Sequence, residues 1–132
     1  MISTELARAL RDSGLRWKPR AGDAFRIDSI EADDEIYVLS DMTVEAHEFA
    51  TGTVLGFNGT TEWALDSVAI DYALWLPREE QLRDLLGPAF RSLARGFAVV
   101  AVIDGREATF IADNASDAYA KALLALLDAL AD

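Results

Sequence analysis

Apolar residues recur every three to four positions at both ends of the chain and every second position in between, a pattern that predicts helices flanking a run of strands. Near the N-terminus, Ser3 or Thr4 can cap a helix over roughly residues 4–13, with Leu6, Ala9 and Leu10 on one face and Gly14 as its stop. At the other end, Asn114 or Ser116 caps a helix whose Ala118, Ala122, Leu123, Leu126, Leu127 and Leu130 form an apolar stripe. A further helix is expected over about 78–86. Pro77 suits its first turn, where a missing N–H has no helical partner, and Gly87-Pro88 ends it.

From Ala24 the period changes to two. Strands are expected at 25–30, 35–40, 43–49 and 53–57, separated by short polar or glycine-containing breaks. Asn58-Gly59 suits a tight turn into a fifth strand at 60–65. Residues 15–20 read as a Pro-interrupted connector whose Leu15 and Trp17 dock on the core, and Gly22-Asp23 as a turn. Later, 97–103 and 107–112 flank Asp104-Gly105, a strong hairpin signal, and 90–93 offers a third strand beside them. No repeat, low-complexity tract or linker interrupts the sequence. The expected fold class is therefore α+β: an antiparallel meander and a hairpin packed against N-terminal, middle and C-terminal helices, in a single layered domain over 1–132.

Composition narrows the chemistry. A chain of 132 residues can bury about two-thirds of its unfolded surface in one core. It contains no cysteine, which excludes a disulfide framework, thiolate metal sites and a thiol nucleophile, and fits a reducing compartment. The first residues do not read as a secretion signal. The apolar run 118–131 is broken by Lys121 and Asp128 and falls short of the about 20 residues a membrane span needs. The expected location is cytoplasmic.

Charge is distributed unevenly. Of a net −11, residues 1–20 hold five Lys/Arg and two Asp/Glu, residues 21–76 hold one against twelve, and residues 77–132 hold six against nine. A surface of this sign repels nucleic acid, which is bound by displacing counterions with basic groups, and favours a basic protein partner. Acidic charge also serves solubility alone. Oligomeric state is not legible.

Motifs exclude more than they assign. Neither a Gly-x-x-x-x-Gly-Lys-Ser/Thr loop nor a Gly-x-Gly-x-x-Gly turn is present, so no nucleotide cofactor is expected. Arg78-Glu79-Glu80 lacks the second acidic pair that a Nudix-type magnesium helix needs, and Asp33-Asp34-Glu35 lacks the spacing of a calcium loop. Ser40 sits on no nucleophile elbow. His47 is the one histidine, and a strand places Glu45 on its face, so a Glu45/His47 pair is the candidate metal site. Read structurally, the same pair is a half-exposed strand histidine beside a carboxylate.

The most distinctive stretch interleaves aromatics with carboxylates. Trp63, Trp75 and Tyr72 can line a groove rimmed by Glu62, Asp66 and Asp71, suited to a partner presenting Arg or Lys. The competing reading makes Trp63 and Trp75 core residues beneath a solvated acidic face. The strings Glu5-Leu6-Ala7-Arg8-Ala9-Leu10, Gly14-Leu15-Arg16-Trp17, Val38-Leu39-Ser40-Asp41-Met42-Thr43, Gly56 to Val68 and Leu74-Trp75-Leu76-Pro77-Arg78-Glu79 carry a resemblance over nearly the whole chain. They resemble a family of small bacterial proteins of the high-GC Gram-positive type without assigned catalytic residues, some of which carry an automated pilus-assembly label. That label implies an ATPase-like protein, whose phosphate loop this sequence does not contain.

The function expected from these features is a non-enzymatic acidic interaction module with no cofactor. Glu62, Trp63, Asp66, Asp71 and Trp75 would meet its basic partner. The alternative is a small metal-dependent or ligand-binding protein centred on His47.

Overall fold

The computed structural model describes residues 1–28, 35–39, 44–49, 52–57, 67–69 and 72–131, of which 44–69 are described by backbone alone. Three helices and nine strands occur among these residues, in the order α1, β1 to β6, α2, β7 to β9, α3, and the class is α+β. The chain divides into two compact units, Met1–Arg16 with Leu76–Asp132, and Trp17–Trp75.

The first unit holds all three helices. Helix α1, Thr4–Asp12, starts where the Ser3 hydroxyl accepts the Leu6 N–H at 3.2 Å, and it buries Ala7 and Leu10. Helix α2, Glu79–Leu86, follows Pro77 and buries Leu82 and Leu86. Its start is closed from the other side of the cap, as the Arg78 N–H donates to the Gln81 side-chain oxygen at 2.9 Å. Strands β7 (Phe90–Ala94), β8 (Ala98–Ile103) and β9 (Arg106–Ile111) form an antiparallel sheet in that spatial order. The β8–β9 turn is Asp104-Gly105, both at positive φ (54° and 81°), the backbone that matches the twist of a two-residue hairpin.

Helix α3, Ala115–Ala131, is the centrepiece of this unit and packs on α1, α2, β8 and β9. Of the two expected caps, Asn114 is the one used, accepting the Asp117 N–H at 2.9 Å. Asp117 in turn accepts the Ser3 N–H at 2.7 Å, and Ser13 donates to Asp128 at 2.8 Å, so α1 is tied to α3 at both ends. The buried face of α3 is Ala118, Tyr119, Ala120, Ala122 and Leu123. Three of these five are alanines, whose small side chains let neighbouring backbones approach, and Leu10, Leu82, Leu86, Val99 and Ala101 are buried with them.

The second unit holds two three-stranded sheets. In one, β1 (Ala24–Ile27) lies between β2 (Tyr37–Val38) and β6 (Ala73–Leu76), whose last residue counts with the first unit. In the other, β3 (Val44–Phe49) pairs with β4 (Gly52–Phe57), and β4 with β5 (Ser67–Ala69). The meander is thus continuous across β3 to β5, while β1 takes β6 as its second neighbour. Strand β6 escapes the sequence pattern because Ala73-Leu74-Trp75-Leu76 is apolar throughout and shows no alternation. Strands β1 and β2 are shorter than the expected 25–30 and 35–40, and the strand expected at 60–65 lies outside the described residues. Among the described residues no helix is long and apolar enough to cross a membrane.

Candidate functional site

The second unit concentrates the acidity of the chain. Residues 17–75 carry three Lys/Arg against twelve Asp/Glu, whereas the remaining residues carry nine against eleven. A local excess of this size sets up a negative potential that draws in cations and basic surfaces and is screened by salt.

Among the described residues its core is largely aromatic. Phe25, Leu39 and Ala73 are buried, with Trp17, Ile27 and Tyr37 packed against them. Trp17 lies 5.4 Å from Phe25, ring centre to ring centre, and Phe25 lies 5.5 Å from Tyr37. Trp17 also stacks on Trp75 with centroids 6.5 Å apart and planes 11° apart. Stacked and tilted aromatic pairs at such distances add about 0.5–1.5 kcal/mol beyond the area they bury.

Asp23 is fastened into this cluster. It is 2% exposed, and its Oδ2 accepts the Trp17 indole N–H at 2.9 Å and the Arg20 backbone N–H at 3.0 Å. Its backbone continues the fastening, since its carbonyl accepts the Leu39 N–H at 2.9 Å and the Leu39 carbonyl accepts the Gly22 N–H at 2.7 Å. A buried carboxylate must be paired or hydrogen-bonded to offset its desolvation, and these two donors do that. One of the twelve acidic groups is therefore internal and offers nothing to a partner.

The expected partner-binding residues are placed unequally. Trp75 lies in β6, half-buried in the aromatic cluster, and its indole N–H is buried without a hydrogen-bond partner among the described residues. Glu62, Trp63, Asp66 and Asp71 lie outside the described residues. Tyr72, the third ring of the expected groove, is 58% exposed, while its backbone carbonyl accepts the Asp28 N–H at 2.6 Å. The alternative pair stands on β3, where Glu45 is opposite Gly56 and His47 opposite Val54 on β4. Among the described residues no three His, Asp or Glu side chains come together as a metal-binding group.

Sequence reading missed Asp23 as a core residue. Gly22-Asp23 looked like a turn, and the one available signal was a tryptophan six positions before an aspartate in a connector, too common a spacing to single out. Trp17 was expected on the core and is there. Compared with protein-family models, with curated proteins and with solved structures, the chain finds no match.

Proposed function

We propose that this protein is a non-enzymatic interaction module whose acidic unit, residues 17–75, receives a basic protein partner in the cytoplasm. The observation that carries the reading is the charge excess, twelve acidic against three basic residues in that unit. Glu62, Asp66 and Asp71 supply the negative rim, and Trp63 with Tyr72 supplies aromatic faces on which Arg or Lys can rest. Trp75 acts from beneath, as the stacking partner that holds Trp17 and the aromatic cluster.

Complementary charge of this kind speeds encounter and selects partners more than it adds raw affinity. The partner class follows from it: a protein with a Lys/Arg-rich face, bound more weakly as salt rises. The test is capture of host proteins on the tagged full chain and on its Glu62→Lys/Asp66→Lys variant, at low and moderate salt. A basic protein retained by the parent and lost by the variant supports the reading. Equal retention by both removes Glu62 and Asp66 from the site.

A further inference from the structure

The β7–β9 sheet has two faces, and α3 packs on one of them. Val99 and Ala101 point to that face and are fully buried, with Phe110 and Ala108 as their register partners on β9. Alternation sends their neighbours Ala98, Val100 and Val102 to the opposite face. There the register aligns Ala94, Ala98 and Ile111 in one row, Ser92, Val100 and Thr109 in the next, and Val102 with Glu107 in a third. Ile111 is 63% exposed on this face, and Ala94 is exposed beside it. The centre strand is wholly apolar on the outside, a composition that a permanently solvated sheet face does not need.

Its two flanks carry opposite charge. On the β9 side stands Glu107, exposed, beside Val102. On the β7 side the register shifts between Phe90, opposite Ala101, and Ser92, opposite Val100, which leaves Arg91 as the extra residue of a bulge, between the levels of Val100 and Ala101 and short of the Val102 level of Glu107. Arg91 is exposed, and its Nη1 donates to the Pro88 carbonyl at 2.6 Å and the Phe90 carbonyl at 3.2 Å, which holds the guanidinium along the β7 edge. A guanidinium carries five N–H donors, so the fork can also serve a carboxylate.

We infer that this face is where two copies of the chain meet, face to face, about a two-fold axis parallel to the strands. That axis lays β7 of one copy over β9 of the other and keeps each residue at its own level; the Arg91 side chain, drawn back toward Pro88 at the Val102 end of the sheet, then spans the one to two residues that separate it from the partner's Glu107, and does so twice. The apolar middle, Ala98, Val100 and Val102, then packs on itself. An isologous contact needs such a self-complementary patch, apolar in the centre and oppositely charged on either side of the axis. A face of three strands by about six residues measures roughly 14 Å by 20 Å, well under the about 800 Å² per partner of a standard interface. The dimer is accordingly weak.

The test is sedimentation equilibrium of the full chain from about 10 µM to about 1 mM, which spans the dissociation constants of weak association. Mass rises with concentration from 14.4 kDa toward twice that value in the parent protein. Arg91→Glu raises the dissociation constant at least five-fold, and Arg91→Glu/Glu107→Arg restores it to within about two-fold, an outcome tied to one pair of opposed side chains. Val100→Arg abolishes the dimer. Both charged positions are exposed, so the swap remains informative if Val100→Arg fails to fold. A monomer throughout the range, or a dimer indifferent to the swap, overturns the inference.

Discussion

Trp17 and Trp75 are the first and last residues of the acidic unit, and their rings stack, with centroids 6.5 Å apart and planes inclined by 11°. The stack closes a segment that carries most of the negative charge of the chain. Mutual repulsion among those carboxylates favours expansion. The aromatic cluster and the Asp23 hydrogen bonds are what oppose it at the ends.

The two indoles differ in one atom's surroundings. Trp17 donates to Asp23, whereas the Trp75 N–H has no partner among the described residues. Replacing each by Phe shortens the ring equally, so Trp17→Phe should cost about 1.5–3 kcal/mol more than Trp75→Phe, the range for a hydrogen bond to a charged group. Urea unfolding of both variants measures the difference. Equal costs would mean the Trp17–Asp23 bond adds nothing net.

Asp23→Ala removes the acceptor of two part-buried donors, the Trp17 indole and the Arg20 backbone N–H, while Asp23→Asn keeps an acceptor oxygen. The alanine variant should lose about 2–4 kcal/mol and the asparagine variant about half of that. Far-UV circular dichroism against urea distinguishes them.

In the first unit, burial pushes the Tyr119 phenol above its ordinary value of 10.0, with the Arg83 guanidinium pulling the other way. A raised phenol leaves the folded protein holding a proton that the unfolded chain releases. Its contribution to stability is whole below about pH 10 and is lost as pH rises through the folded-state value. Tyr119→Phe should flatten that alkaline loss in chemical denaturation followed from pH 8 to 11. At the acid end the Arg78 side chain, 2.6 Å away, holds Glu80 below its usual 4.5, so the Glu80 contribution exists above that value and fades as pH falls. Glu80 is exposed, and the acid effect is the smaller one.

The close approach of α3 to its neighbours depends on Ala118 and Ala122, both fully buried. Ala118→Leu should destabilise by about 1–3 kcal/mol through overpacking, and Leu82→Ala by about 2–5 kcal/mol through a cavity. Thermal or urea midpoints check both.

The helices and the β7–β9 hairpin were legible because each is written locally. Ser3 and Asn114 cap the helices they were expected to start, Asp104-Gly105 marks the hairpin, and Pro77, expected in the first turn of α2, instead stands one residue before its Arg78 cap, where it still announces the start. Strand β6 was not, since its four apolar residues carry no period and its place beside β1 is a long-range pairing. The aromatic cluster was half legible: Trp17 looked like a docking residue, but nothing local says that Asp23 receives its N–H. Glu62, Trp63, Asp66 and Asp71 rest on composition alone. The Glu45/His47 metal alternative rests on their alternation along β3 and requires that His47→Ala lower zinc affinity in a calorimetric titration; unchanged affinity removes it.

The most direct test of the acidic-module account is salt-dependent capture of host proteins on the tagged chain, read beside Glu62→Lys/Asp66→Lys. The account predicts a specific basic protein held at low salt, weakened at moderate salt and absent from the variant. Retention that ignores both salt and the charge reversal would contradict it.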